Sequence, residues 1–467
     1  MSNNNGQLTK RIWITIVLFM LIGSVVANVE TMYISIFLNN TVYKNGAMGS
    51  SITLTDAVNL IVSLSAIVSG IAAFIMGTLS EKMKNRKVFI SFGYIAWGII
   101  ATFFGAIKTE NISKFLGIND SAKVITATAI IIIALSLVLA FLRSTSNDSV
   151  FNAWVTDVTT PETTAIVETI LTIMGFVATG IITLLVSRAQ SGKTGYGTIF
   201  VILGVGAIVA GILGLGLIQN PKKFENASKD NDNSSYVSDL FYGFRPSVVK
   251  ENSKLYLILS SGCLFNSAFQ VFFPYLFIYL GSVVVPANKD TDFLSPVFIM
   301  CAIITVEAII VGIILLMKVY TKNKAFSFIP SVAFFVMGLF ILSTTTDILG
   351  IVIGLAPALV GYAVIMIQFG ATVRDNIPQD KVGIFQGIRM IFLVLIPMVV
   401  GPTLGNIAAK NSDITYTTDI GAEKVLPTEA MFLYAAIVAA LIFIPMLAFL
   451  KKDSNFKIKK RRKPLIR

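Results

Sequence analysis

In 467 residues the chain carries 55% hydrophobic and only 13% charged side chains, with a mean hydropathy of +0.79. A soluble domain carries about 25% charged residues because its surface meets water, so a water-facing fold is excluded and lipid is the solvent this surface fits. Histidine is absent and the net charge is +12; the first fact removes imidazole catalysis, histidine metal sites and histidine proton relays together, and the second must be explained by where the basic residues sit.

Crossing a hydrocarbon core of about 30 Å takes about 20 mainly apolar residues. Twelve stretches qualify: 12–38, 54–79, 88–107, 124–142, 165–186 and 198–218, then 255–280, 295–317, 326–343, 348–369, 384–403 and 430–450. The first follows Lys10 and Arg11, is too long for a signal-peptide core and lacks a small-residue cleavage site, so it reads as a signal anchor and first span. Only residues 344–347 separate the ninth span from the tenth. Cys263 and Cys301 lie inside apolar runs and read as small buried residues rather than as a disulfide or metal site.

Basic residues set the orientation. With both termini and the even-numbered connections inside the cell, inner segments hold 27 of the 37 Lys and Arg residues, outer loops hold 9, and Arg389 lies within the eleventh span. That bias predicts a multi-pass protein of the cytoplasmic membrane with both ends cytoplasmic and an even number of spans. Nine of the basic residues belong to the segment 451–467, where anionic inner-leaflet lipids attract each by about 1 kcal/mol; no nucleic-acid partner is needed.

Between the sixth and seventh spans the composition turns to Asn, Lys, Asp and Ser (QNPKKFENASKDNDNSS), a solvated linker. The expected organisation is a six-helix bundle over 1–218, a cytoplasmic linker over 219–252, a second six-helix bundle over 253–450 and a basic tail over 451–467. The halves echo one another. Val155-Thr156-Asp157 with Pro161-Glu162 after the fourth span answers Val373-Arg374-Asp375 with Pro378-Gln379 after the tenth, and Tyr33 and Phe37 answer Tyr275 and Tyr279. A duplicated unit of this kind suits two bundles rocking about a midplane site.

The loop Gly77-Thr-Leu-Ser-Glu81-Lys-Met-Lys-Asn-Arg86-Lys87 resembles the major facilitator signature between helices 2 and 3. In a gate, the glycine permits close helix approach, the acid suits a helix N-terminus, and the basic end can pair with acids of neighbouring loops; the plainer reading is an ordinary positive-inside loop. A second stretch runs from Val373-Arg-Asp-Asn-Ile-Pro-Gln-Asp-Lys-Val-Gly383 through Gly387 and Arg389 to Gly401-Pro402. It resembles helices 10–11 of the glycoside–pentoside–hexuronide:cation symporter-like branch, which includes the melibiose permeases; Asn152-Ala-Trp-Val-Thr-Asp157 resembles the first-half counterpart. The resemblance implies an all-α membrane protein with twelve transmembrane helices in two pseudo-symmetric six-helix bundles, working by alternating access. It implies a cytoplasmic gate of Gly77, Glu81, Arg86, Asp157, Arg374 and Asp375. The sequence departs from that branch at Ser69 and Ala73, where two carboxylates are expected, and at Thr163 and Thr164, near an expected arginine, so sodium–sugar symport does not carry over.

Charges within spans mark function or pairing, since each costs about 2.5–3.5 kcal/mol at mid-bilayer by insertion scales. Glu307 lies mid-span in the eighth stretch, Arg389 in the inner part of the eleventh, Glu30 and Asp56 toward the outer parts of the first two, and Glu168 near the inner start of the fifth. Glu307, Arg389 and Asp56 are the coupling candidates, with a structural Glu307–Arg389 pair as the alternative. Substrate-contact candidates are Asn28, Glu30 and Tyr33 in the first span, Asn266, Gln270 and Tyr275 in the seventh, and Tyr362 and Gln368 in the tenth. Amides with aromatics suit a sugar, a glycoside or another neutral polar solute, although any one such residue is more often helix–helix glue. The expectation is a monomeric secondary transporter of a small polar solute, driven by protons or sodium, with no cofactor or metal. A lipid or drug carrier of the same fold is the near alternative. A membrane-embedded enzyme or sensor is the distant one, unsupported by any zinc motif, activated nucleophile, P-loop or signalling domain.

Overall fold

The computed structural model describes residues 8–29, 33–43, 50–52, 54–190, 192–221, 223–224, 239–279, 283–284, 324–409, 415–417, 423–425 and 428–452. Glu30, Glu307, Cys301 and the eighth predicted span lie outside the described residues. Among those described, ten helices are long and apolar enough to cross a membrane. A short antiparallel hairpin, β1 (Thr415–Thr417) with β2 (Glu423–Val425), pairs Thr415 with Val425 ahead of the last span.

In the first half the helices are α1 (Lys10–Asn28), α2 (Ile34–Thr41), α3 (Leu54–Lys82), α4 (Arg86–Ala106), α5 (Thr109–Leu116), α6 (Ser121–Arg143), α7 (Asn152–Val158), α8 (Thr164–Gln190) and α9 (Tyr196–Leu217). In the second they are α10 (Pro246–Glu251), α11 (Ser253–Phe272), α12 (Leu276–Tyr279), α13 (Lys324–Leu342), α14 (Ile348–Asn376), α15 (Val382–Met390), α16 (Ile396–Ala409), α17 (Ala430–Ala440) and α18 (Phe443–Lys452). Local chemistry sets several starts. Asn85 caps α4 by accepting from Val88 N at 3.2 Å. Asp347 caps α14 by accepting from Leu349 and Gly350 N at 3.1 and 2.9 Å, which is why so short a connection suffices between α13 and α14.

The described helices depart from the predicted layout in two places. Helix α5 occupies the connection between α4 and α6, ends at Gly117 in the left-handed region (φ 66°) and leaves Phe115 exposed. Of the first span, the described residues form α1 and α2, on either side of residues 30–32. The fourth does not stop at residue 142: α6 passes through a π-helical turn, Ser144–Phe151, into α7, giving one helical run of 38 residues, Ser121–Val158. A run of Ser, Thr, Asn and Asp reads as a helix breaker because such side chains compete for backbone groups. Here the serines find partners in α3 and in the helix itself. Ser144 donates to Ser69 O, Ser149 to Ala73 O at 2.9 Å, and Ser146 back to Leu142 O at 2.7 Å.

Large apolar side chains such as Phe92, Phe103, Leu184, Leu349 and Ile444 are exposed on the helices, as a lipid-facing rim requires. Inside, one apolar core is drawn from residues 8–218, and a second from 248–450 that Ala153 joins from the first half, with Phe74 packed against it. Close packing within the first half uses small residues: a Cβ added to Gly98 in α4 would lie 2.4 Å from the Gly204 carbonyl oxygen in α9. Contacts between the halves run along α3, α7, α8, α14 and α15, toward the face that carries the α9 exit and the start of α11.

Candidate functional site

The interface between the halves is built on charge. Arg86, the first residue of α4, is fully buried; its Nε lies 3.2 Å from Asp157 Oδ2 at the end of α7, and its guanidinium also donates to Ser80 Oγ and to Glu81 at the end of α3. Glu81 reaches across to the other half. Its Oε2 accepts from Gly383 N at 2.7 Å, in the first turn of α15, where exposed N–H groups and the helix dipole favour an anion. Gly77 makes that approach possible, since a Cβ there would stand 2.5 Å from the Gly383 carbonyl oxygen.

Arg374, near the end of α14, makes the opposite reach. It is 1% exposed and surrounded by first-half groups: Glu168 pairs with its Nε, Asn152 O and Thr156 Oγ1 each accept from Nη1 at 2.7 Å, and Asn152 Oδ1 accepts from Nη2 at 2.8 Å. Gly370, one turn earlier, leaves room for the Glu168 carboxylate. Thr156 Oγ1 also accepts from Gln386 Nε2 at 2.9 Å, Gln386 Oε1 accepts from Arg389 Nη1 at 3.3 Å, and Thr164 Oγ1 donates to Asp375 Oδ1 at 2.8 Å. A buried arginine with four of its five N–H donors paired is a specific contact between the halves, because leaving either charge unpartnered in low dielectric costs about 3–5 kcal/mol.

A second polar cluster lies deeper. Asp148, in the π-helical turn, is nine residues before Asp157 on one continuous helical run, about 14 Å away at 1.5 Å per residue. Arg143 Nη1 lies 3.2 Å from its Oδ2, and both side chains keep a partial exposure of 15–18%. Arg143 Nη2 donates to Ser69 Oγ at 3.1 Å, and Asn147 Nδ2 donates to Asp148 Oδ1 at 3.1 Å. Reading residues 143–158 as a loop hid this pair. Hydrophobic period alone does not reveal it; an Arg and an Asp five apart, joining two helical segments, was the available signal. Glu168, noted above only as a charge near a span start, is likewise a partner of Arg374.

The structure thus gathers Gly77, Glu81, Arg86, Asp157, Arg374 and Asp375 along one interface. It disperses the substrate-contact candidates. Asn28 Nδ2 donates to Thr179 Oγ1 at 3.0 Å, and Tyr33 is fully buried, donating to Tyr196 O at 2.8 Å beside the Phe200 ring; both are spent on packing inside the first half. Asn266 Nδ2 bonds to Gly262 O of its own helix at 2.9 Å, Gln270 packs beside Gly401, and Tyr275 OH points to Pro402 O at 3.4 Å. The Tyr362 ring lies tilted against Phe265 and Phe269, and Gln368 is buried with no hydrogen-bond partner for Oε1 among the described residues. Asp56 is exposed at the far end of α3, 25 residues from Glu81, and Arg389 engages Gln386.

Comparison with known proteins agrees with this architecture. The human organic anion transporter MFSD10 superposes with a TM-score of 0.66 at 12% identity, covering 94% of this chain and 99% of that one. The proton:xylose symporter XylE gives 0.64 at 12% identity, covering 93% and 95%, and FucP in its outward conformation gives 0.59 at 15%, covering 94% and 98%. At such identities the likeness is one of fold. No curated protein sequence matches the chain. The family model described as Major Facilitator Superfamily matches residues 19–402. That match runs through both halves and the ionic interface between them, so the chain belongs to the Major Facilitator Superfamily and is a multi-pass membrane transporter.

Proposed function

We propose that this transporter moves a small polar solute, a sugar or glycoside, across the cytoplasmic membrane by alternating access, with the bundles 1–218 and 253–450 rocking about a central site. The observation that carries the reading is Arg374, a second-half cation enclosed by Glu168, Asn152 and Thr156 of the first half. A permanent structural core has no need of two charged locks aligned along one interface; a gate that opens each cycle does. With both chain ends placed in the cytoplasm, this is the inner-closed state. Glu81–Gly383 and Arg374–Glu168 hold it, and hydration of the same groups on opening offsets part of what is lost.

The driving ion is a proton or sodium. Without histidine, a carboxylate is the natural carrier, and Asp148 beside Arg143 sits deep in a spanning helix next to hydroxyls and amides. π-Helical turns recur at functional sites because they aim side chains that a regular helix would turn aside. Glu307 remains the second coupling candidate. The sugar reading rests on the amide-and-aromatic character of α11 and α14 and on the resemblance of residues 373–402 to the glycoside–cation symporter branch. XylE, of the same fold, is a proton:xylose symporter.

The test is uptake by purified protein in proteoliposomes, offered sugars, amino acids and lysolipids with imposed proton or sodium gradients. Gradient-dependent accumulation of a sugar supports the proposal. Accumulation of a lysolipid or drug alone transfers the protein to the lipid- or drug-carrier reading.

A further inference from the structure

The linker does not leave the bundle freely after α9. Gln219 O accepts from Trp154 Nε1 at 2.8 Å, and the Asn220 side chain accepts from Lys87 N at 3.0 Å and donates to Asn85 Oδ1 at 3.1 Å. These anchors turn the next residues back across the gate. Lys223 Nζ then lies 2.8 Å from Glu81 Oε1 and 2.8 Å from Asp157 Oδ1, and donates to Gln379 O at 2.9 Å. The Phe224 ring lies against both cations, 5.2 Å from Lys223 Nζ and 5.4 Å from Arg86 Cζ.

The charges explain why an ammonium belongs there. Glu81 and Asp157 are two largely enclosed carboxylates with one buried guanidinium between them, so Arg86 alone leaves a net negative charge at the closed interface. Lys223 balances it. An ammonium carries three N–H donors; Glu81 Oε1 and Gln379 O accept from it, and Asp157 Oδ1 lies within ion-pair distance. One of these decides the role. Glu81 and Asp157 belong to the first half, whereas Gln379 lies in the connection between α14 and α15 of the second, so Lys223 makes all three contacts only while the halves are together.

We propose that Lys223 is a positioning residue of the transport cycle: a tethered cation that the linker inserts between Glu81 and Asp157, clasping the Gln379 loop in the closed state and withdrawing as the inner face opens. The linker is then a working part of the gate, and a partner or modification acting on it biases the cycle. This rests on the gate reading above, and the experiment separates the two.

With Cys263 and Cys301 replaced by serine, spin labels at Met83→Cys and Asp380→Cys, both exposed and on opposite halves, report opening by pulsed electron resonance in nanodiscs. Lys223→Met is expected to raise the open-to-closed ratio by at least about fivefold, the low end for coupling between sites, and Lys223→Arg to restore most of the closed population. An unchanged distribution in Lys223→Met, with a clear shift in Arg374→Gln, overturns the Lys223 proposal alone. If neither substitution moves the distribution, the gate reading falls with it. A lower melting temperature in Lys223→Met without a population shift makes Lys223 a static clip and also overturns the proposal.

Discussion

Arg374 and Glu168 meet across the two halves in a place where water cannot compensate either charge. Removing one partner of such a pair costs about 3–5 kcal/mol, and about 1.4 kcal/mol is a tenfold change in a ratio of states. Arg374→Gln is therefore expected to depopulate the closed state by about two to three and a half orders of magnitude at most, because the stranded Glu168 rehydrates only on opening. Glu168→Gln added to Arg374→Gln should recover much of the loss, since no uncompensated charge remains. Spin-label distances across the gate measure both, and a double variant no better than the single one counts against the pair as the lock. Asp148 carries a different expectation. Asp148→Asn should abolish gradient-driven accumulation while solute exchange at equal concentrations persists, because a neutral amide cannot take up and release the coupling ion. If accumulation survives, coupling passes to Glu307, for which Glu307→Gln is the corresponding variant.

At the scale of helices, the gate depends on how closely α3 and α15 approach. Gly77 and Gly383 face each other with no space for a side chain, whereas Gly175 in α8 has no heavy atom within 4 Å of an added Cβ. Gly77→Val should hold the halves apart and lower uptake by more than about tenfold, while Gly175→Ala leaves uptake near wild type. Uptake unimpaired in Gly77→Val would show that closure does not need this contact. Gly77 was legible in the sequence because a Gly, an acid and a basic pair at fixed spacing form a local pattern, and the spans were legible because apolar length is a local property too. What was not legible depends on partners elsewhere in the chain. Ser144, Asn147 and Ser149 look like loop residues until the backbone of α3 and the Tyr94 hydroxyl, 2.8 Å from Asn147 Oδ1, are beside them. Asn28 and Tyr33 look available for a substrate until α8 and α9 take up their polar atoms. Lys223 looks like one of many linker charges until Trp154 and Asn85 fix the path of the chain.

For the whole molecule, the charge pattern predicts a sidedness. The gate, the linker exit at Gln219 and the end of α18 share one face: Lys223 ties the linker to the Gln379 loop, and Lys451 and Lys452 line a cleft with Glu251, Lys254 and Asn376. Helix α5 sits on the connection between α4 and α6, one 21-residue span of α4 away from Arg86. If the excess of basic residues fixes that first face in the cytoplasm, positions there and on α5 must respond oppositely to an impermeant thiol reagent. On a cysteine-free background, Met83→Cys and Lys451→Cys should be labelled in inside-out vesicles only, and Phe115→Cys in right-side-out vesicles only. Labelling of Met83→Cys and Lys451→Cys from opposite sides would require an odd number of spans between residues 83 and 451. It would break the two-bundle architecture, because inner gates on both halves cannot then meet at one membrane surface. Labelling of both from the outer side would keep the fold but invert the transporter, turning the closed gate into an outer one and reversing the direction in which a gradient drives the solute.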